Sequence, residues 1–327
     1  MSDIRNSIFI ETPLVLSKKL SKLIGHDLYL KCENDQPSGA FKLRGNSYHS
    51  QKEVERGCKR LITASGGNTG LAVTWSAMAL GVPVSVFIPK STPKMVIDKL
   101  TELGADVVVF GDDFKMANER ALEEGKKPGQ SYIHPFNHPE TWQGHSTIVD
   151  EVAQQLGKGV RPGCFIASIG GGGLVKGLLD GMNRHGWSDV PLVAVETEGA
   201  DCVRRALQAG RPVEMDKITS IAVTLGSNTI LPALFDQLPK HNVIPLVVTD
   251  KQVVQSCIRF ADDHRILVEP ACGAALSVVY FDMLKDLLPE APNGPVVLIV
   301  CGGAGVSLTL LQEWALKFNL DFPYKEK

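Results

Sequence analysis

At 327 residues the chain is long enough for a large core or for two lobes, and 44% hydrophobic with 21% charged residues is the composition of a soluble globular protein. A formal net charge of −2 leaves no basic excess for nucleic acid or an acidic membrane surface. The longest apolar runs are strand-sized, and Met1 to Glu11 carries Asp3, Arg5 and Glu11 with no apolar segment, so neither a membrane span nor a secretory signal is expected.

Apolar β-type runs alternate with helical patterns along almost the whole chain. Strands are predicted at 28–32, 60–64, 84–88, 106–110 and 131–134, and a second set at 164–168, 192–196, 243–248 and 296–300. Several are near-continuous Val, Ile and Leu, as in strands buried on both faces of a parallel sheet. After Asp250, a predicted N-cap, Val253, Val254, Cys257, Ile258 and Ala261 share one helical face. The alternation implies an α/β fold with helices covering the sheet, and the two groups of strands suggest two lobes, with the chain crossing near Pro135–Trp142. Seven cysteines, at 32, 58, 164, 202, 257, 272 and 301, are odd in number and include no Cys-x-x-Cys pair. They favour free thiols in a reducing cytosol over disulfides or a zinc site.

The stretch Pro37-Ser38-Gly39-Ala40-Phe41-Lys42-Leu43-Arg44-Gly45 sets a lysine beside a bulky aromatic, between two glycines. An amine partly desolvated by an aromatic wall can lose its proton and condense with an aldehyde to a Schiff base. With 34 Lys and Arg in the chain, a solvated surface lysine is the better reading of this stretch alone. Next, Ser65-Gly66-Gly67-Asn68-Thr69-Gly70 links strand 60–64 to an apolar helix over Leu71–Leu80. Bare amides at a helix N-terminus bind anions, although Ser65 or Asn68 could simply cap the helix.

Gly170-Gly171-Gly172-Gly173-Leu174 lies between strand 164–168 and a helix to about Arg184, where successive N–H groups can converge on a phosphate. The dinucleotide fingerprint Gly-x-Gly-x-x-Gly fails there, since its last position falls on Val175 or Lys176. Cys301-Gly302-Gly303-Ala304-Gly305 follows strand 296–300. Its thiol could meet a heteroaromatic ring nitrogen, or act as a small buried hydrophobe, the commoner role. His134 and His138 have metal-pair spacing for a helix, but Pro135 and Pro139 argue against a helix there.

These motifs in this order resemble the fold-type-II pyridoxal-phosphate enzymes, and within them the serine/threonine dehydratases of the animal L-serine dehydratase type. Trp142-Gln143-Gly144-His145, Val193-Ala194-Val195-Glu196-Thr197 and Leu267 to Ala275 extend the resemblance, which runs from about Thr12 to Leu310. It implies a tryptophan-synthase-β-like α/β fold of two open, twisted, mostly parallel lobes with the cofactor in the cleft. The large lobe would be 1–39 and 142–327, and the small inserted lobe 40–141.

By the same resemblance, Lys42 would bind pyridoxal 5′-phosphate covalently and act as the base at the substrate Cα. Phe41 would pack on the pyridine ring, Asn68 would contact its phenolic oxygen and Cys301 would face its nitrogen. Gly170, Gly171, Gly172, Gly173 and Leu174 would hold the phosphate. Ser65, Gly66 and Asn68 would bind the substrate, with Ser65 at its carboxylate. Glu196 and Ala200, with Leu225 and Ser227, match ligands of a cation. Relatives that use a divalent ion place a second carboxylate where this chain has Cys202, so K⁺ is expected.

Related serine racemases carry a proton-transferring serine where this chain has Gly66. Two departures from the animal enzymes are Ala40, in place of Ser, and Ala304-Gly305, where relatives often carry Ser or Asn. The implied activity is β-elimination of L-serine to pyruvate and ammonia, with L-threonine as a further substrate, in a cytoplasmic homodimer with no nucleic-acid or membrane partner. A β-replacement synthase of the cysteine-synthase type, or a pyridoxal-phosphate-binding protein without turnover, remain alternatives.

Overall fold

The near-continuous apolar runs pair as strands and the patterned segments between them are helical. The computed structural model describes residues 7–92, 94–290 and 292–322. The chain begins with β1 (Leu14–Leu16), α1 (Lys18–Ile24) and β2 (Leu28–Lys31). Next come α2 (Lys42–Glu55), β3 (Arg60–Ala64), α3 (Asn68–Leu80), β4 (Val84–Ile88) and α4 (Lys94–Glu102). They are followed by β5 (Asp106–Val109), α5 (Phe114–Glu124), β6 (Gln130–Tyr132) and α6 (Pro139–Leu156). Then follow β7 (Cys164–Ser168), α7 (Gly173–Arg184), β8 (Leu192–Thr197), α8 (Cys202–Ala209), α9 (Pro232–Phe235) and β9 (Val243–Val248). The last elements are α10 (Asp250–His264), α11 (Pro270–Tyr280), α12 (Leu284–Leu287), β10 (Val296–Ile299) and α13 (Leu308–Lys317).

The chain divides into two compact units, Met1–Glu11 with Gln36–Thr147, and Thr12–Asp35 with Ile148–Lys327. The boundary therefore falls inside α6, beyond the 135–142 passage, and α6 runs unbroken through it.

In the first unit a four-stranded parallel sheet runs in the order β5-β4-β3-β6. Ile62, Ala64 and Phe87 from the sheet pack with Ala117 and Ala121 of α5, joined by Val108 and Tyr132. A second cluster joins Phe9, Leu43 of α2 and Ala72 of α3, flanked by Ile8 and Trp75. Helix α2 meets α6 with backbones nearly touching. A Cβ on Gly45 would stand 2.4 Å from the Thr141 carbonyl, and one on Gly144 would stand 2.4 Å from the Arg44 carbonyl. Buried Arg44 braces the crossing, donating to Thr147 Oγ1 at 3.1 Å with its guanidinium over the Phe9 ring.

In the second unit a six-stranded sheet has the order β1-β2-β10-β7-β8-β9, parallel except for β1 against β2. Every residue of β7, β8 and β10 is buried, which is why these runs are apolar almost throughout. Parallel pairing sends the loops after β7, β8 and β10 out at one edge of this sheet, the carboxyl edge where open α/β sheets place ligands.

Two details depart from the sequence pattern. The three-residue β1 lies beneath the length at which alternation can be recognised, and antiparallel pairing with β2 defines it. The cap of α10 is Thr249 rather than Asp250: the Thr249 hydroxyl accepts from Gln252 N while the Gln252 side chain accepts from Thr249 N, a capping box. Asp250 instead accepts from Ser220 Oγ at 2.6 Å and Ile221 N at 3.0 Å. Among the described residues no helix is long and apolar enough to cross a membrane.

The α2–α6 crossing leaves no room for a methyl group, so Gly45→Ala and Gly144→Ala should each destabilise the protein by about 1–3 kcal/mol. Urea unfolding measures this; midpoints equal to wild type would show that the helices can part without loss.

Candidate active site

Lys42 is the first residue of α2, and the turn before it is buried at Ser38 and Ala40. Gly39 sits at φ +80°, a conformation costly for any residue with a side chain, and donates to the Gln36 carbonyl at 2.6 Å. The Lys42 amine stands 5.3 Å from the Phe41 ring centre and donates to the Pro135 carbonyl at 2.7 Å. The other side of this wall is His145, whose ring lies 4.9 Å from Phe41 and is fully buried. Burial, then the charges of Lys42 and Arg44, hold the His145 pKa well below the usual range. Neither ring nitrogen of His145 has a hydrogen-bond partner among the described residues. His134 is pushed down to about 4 by burial, then by Lys42 and His138. Two neutral imidazoles therefore neighbour the lysine.

In the same unit, the loop from Ser65 to Gly70 joins the carboxyl end of β3 to α3. The Ser65 hydroxyl accepts from Gly67 N at 3.1 Å, within the loop, and α3 begins at buried Asn68 with no side-chain cap. The capping alternative therefore fails, and the anion reading of these amides keeps its physical basis. At Gly66 an added Cβ would press only on side-chain methyls, the Thr92 methyl at 3.1 Å and Val96 Cγ1 at 3.5 Å, so Thr92 would have to give by a few tenths of an ångström.

In the second unit, Gly170 to Gly173 follow β7 and open α7, again without a side-chain cap. A Cβ on Gly170 would lie 2.6 Å from the Leu225 carbonyl, and Gly172 has φ +102° with Leu234 Cδ2 2.4 Å from its missing Cβ. Gly171 accepts from Leu231 N at 2.9 Å, and Leu174 is buried behind the loop. Main chain pressed this tightly leaves no room for side chains, and the uncapped amides at the start of α7 can receive an anion. Cys301 is buried at the end of β10 and accepts from Ser168 Oγ at 3.5 Å.

Glu196, at the end of β8, is buried and accepts from Val203 N at 2.7 Å and Arg204 N at 2.8 Å. Burial pushes its pKa up to about 7 against the pull of those two amides. Cys202 donates to the Gly170 carbonyl at 3.6 Å, and its thiol is pushed up to about 12 by burial and then by Glu196. Leu225, whose carbonyl abuts Gly170, also accepts from Ser227 N at 2.7 Å. Ala200 pairs with Thr197 beside Glu196. Of this group, Leu225 and Cys202 approach the Gly170 backbone, and Ser227 bonds to Leu225.

The Nδ1 of His134 is taken up by the main-chain N–H groups of Phe136 and Asn137, and His138 faces elsewhere. It stacks on His49, ring centres 3.6 Å apart and planes 4° from parallel. His49, His138 and Glu140 bring ligand atoms within 4.8 Å of one another. One ion cannot lie in the plane of both stacked rings, as imidazole lone pairs require, and Arg56 already grips the Glu140 carboxylate. All seven cysteines are free and buried.

Residues 7–302 match the family model described as pyridoxal-phosphate dependent enzyme. The chain belongs to this family. A mouse protein named L-serine dehydratase/L-threonine deaminase is 39% identical over 97% of this chain and 97% of its own length. Among solved structures, a fungal L-serine ammonia-lyase from Rhizomucor miehei superposes with TM-score 0.91 and 34% identity, covering 96% of this chain and all of the other. A maize serine racemase superposes with TM-score 0.82 and 25% identity over 94% of this chain and 92% of the other. Within this family, the contacts that sequence reasoning missed are main-chain ones. The Pro135 carbonyl on Lys42 is one, and nothing in the sequence except a proline just after β6 marks it.

An anion site at the start of α7 gives a contrast between two glycines. Gly170→Ala should weaken pyridoxal-phosphate uptake about tenfold or more, by forcing main chain away from Leu225, while Gly66→Ala leaves uptake within about threefold. Titration of cofactor-stripped protein followed by absorbance decides it, and equal affinities in the two variants would contradict that site.

Proposed function

We propose that the protein is a pyridoxal-phosphate-dependent ammonia-lyase that converts L-serine to pyruvate and ammonia, and L-threonine to 2-oxobutanoate. The observation that carries this reading is a lysine at the start of α2, walled by Phe41 and neutral imidazoles, in a family member similar along nearly its whole length to a serine dehydratase. The reading keeps a small lobe of 40–141 and a large lobe of 1–39 and 142–327, although the compact unit that contains 40–141 also takes in 1–11, 36–39 and 142–147.

In this reading Lys42 would carry the cofactor, Phe41 would pack on its ring and Asn68 would meet its phenolic oxygen. Gly170 to Gly173 and Leu174 would hold its phosphate with main-chain N–H groups. The Cys301 thiol would face the ring nitrogen. Pyridoxal phosphate, when bound, draws electrons from the substrate Cα. Ser65 and the bare amides of its loop bind and orient the substrate carboxylate. The Lys42 amine takes the Cα proton. The Cα–H electron pair forms the Cα–Cβ double bond as the β-hydroxyl leaves with a proton as water. The product, 2-aminoacrylate, then takes up water and loses ammonia to give pyruvate.

A β-replacement synthase would need a second, thiol-type substrate, and Cys301-Gly302-Gly303 with Val268-Glu269-Pro270-Ala271 fits the dehydratases better. The seven buried thiols favour a reducing cytosol, and a homodimer is carried over from the resemblance.

Release of keto acid from serine, threonine and O-acetylserine, each with and without sulfide, tests the reaction class. Serine and threonine should yield keto acid without sulfide, and Lys42→Ala should lower the serine rate by at least about 10³-fold. Consumption of O-acetylserine only with sulfide would point to the synthase, and a Lys42→Ala rate within tenfold of wild type would remove Lys42 from the chemistry.

Racemisation needs a second acid/base on the face of Cα opposite Lys42, and Gly66 offers none. Wild type should therefore form D-serine about 10²–10⁴-fold more slowly than pyruvate. Gly66→Ser, which needs the Thr92 methyl 3.1 Å from the added Cβ to give way slightly, should raise D-serine output on chiral chromatography. Comparable D-serine and pyruvate from wild type would refute a single base.

We also infer a K⁺ ion at Glu196 and the carbonyls of Ala200 and Leu225, with Ser227. One carboxylate among neutral oxygens suits a monovalent ion better than Mg²⁺. Because the pKa of Glu196 is raised in the fold from 4.5 to about 7, ionising it removes stability progressively as pH climbs through that window. A cation bound to the ionised form restores that stability. K⁺ should therefore raise the melting temperature more at pH 8 than at pH 6, and Glu196→Gln should erase that difference. An equal K⁺ effect at both pH values would separate the ion from Glu196.

A further inference from the structure

The turn after β6 carries chemistry that the roles above leave unused. Nδ1 of His134 accepts two main-chain N–H groups, from Phe136 at 3.2 Å and Asn137 at 2.9 Å, and so closes the turn on itself. A nitrogen that accepts both is unprotonated, which places the ring's one hydrogen on Nε2. The depression of the His134 pKa to about 4 keeps the ring in that state across the physiological range. The imidazole stands edge-on to Tyr132 and Phe136, with planes at 83° and 87°. A second tie comes from α6, where the Trp142 indole N–H donates to the Phe136 carbonyl at 2.6 Å. Between these ties Pro135 presents its carbonyl to the Lys42 amine at 2.7 Å.

We propose that His134, aided by Trp142, is a positioning residue for the reaction: it holds the Pro135 carbonyl as the acceptor for the Lys42 amine whenever that amine is not bonded to the cofactor. The inference rests on Lys42 being the catalytic amine. A fixed carbonyl takes one N–H of the amine, which limits the directions its lone pair can point, and it favours the ammonium form over the amine. Besides burial, His134 feels the charges of Lys42 and His138, and His145 those of Lys42 and Arg44. Both of the histidines beside the amine are neutral. Loss of the turn therefore reaches Lys42 through the carbonyl and not through a lost charge.

Side-chain reach separates this role from packing. Asn Oδ1 stands two bonds from Cβ, where His Nδ1 stands, and can accept the same two N–H groups. Gln is nearer to His in size but carries its oxygen one bond further out. The test uses full-length His134→Asn, His134→Gln and His134→Ala. Each protein is stripped of pyridoxal phosphate and acetylated over about pH 6–11, and Lys42 labelling is read by peptide mass spectrometry.

The midpoint of Lys42 labelling should fall by about one pH unit in the Gln and Ala variants and stay within about 0.3 unit in the Asn variant. In the holoenzymes kcat for serine should fall about tenfold in Gln and Ala, with KM within about threefold, and recover in Asn. Unchanged midpoints, equal shifts in all three, or Gln surpassing Asn would overturn the proposal. Should the Ala variant fail to fold, the Asn–Gln contrast still decides. A wild type that releases no keto acid from serine defeats the proposed function alone, because the labelling midpoint is read without turnover.

Discussion

The contact on which the first unit depends is the crossing of α2 and α6 at Gly45 and Gly144. Their backbones approach so closely that neither position can carry a methyl group without displacing a carbonyl. Lys42 begins α2 three residues before the crossing, and His145 follows Gly144 on α6. One close approach therefore sets the height of the lysine and places a neutral ring behind Phe41. Arg44, buried between the Phe9 ring and Thr147, locks the rotation of α2 about that point. Helix packing thus places the backbone of Lys42, and the turn after β6 meets its amine through the Pro135 carbonyl.

Both units present bare helix N-termini after parallel strands, at α3 and at α7, and in neither does a side chain fill the cap. Those unfilled amides are where the fold can receive a carboxylate or a phosphate without a basic side chain. Nearby titratable groups are held neutral by burial. His134 is driven down, and Cys202 is driven up. Glu196 is the exception, a buried carboxylate raised to about 7 by burial, so that it carries only part of its charge near neutral pH.

Much of this was legible in the sequence because parallel-sheet strands are apolar on both faces. The nine predicted strands from β2 to β10 form, and the glycine clusters lie at strand ends as their spacing implies. What escaped detection depends on tertiary partners. β1 exists through pairing with β2, and the cap of α10 moved to Thr249 because Asp250 is engaged by Ser220 and Ile221. Pro135 and Pro139 kept 134–138 from reading as a helix, and α6 begins at Pro139, where a proline is tolerated in a helix's first turn. The Pro135 carbonyl on Lys42 was invisible because every residue has a carbonyl, and only the fold selects which one meets the amine.

The central claim is that Lys42, alone among the lysines, bonds the cofactor. Borohydride reduction of the yellow holoenzyme, digestion and mass spectrometry test it most directly. The account predicts one peptide carrying the reduced pyridoxyl-phosphate group, with the modification on Lys42. A pyridoxyl group on any other lysine, or complete loss of the cofactor on denaturing the reduced protein, would contradict it.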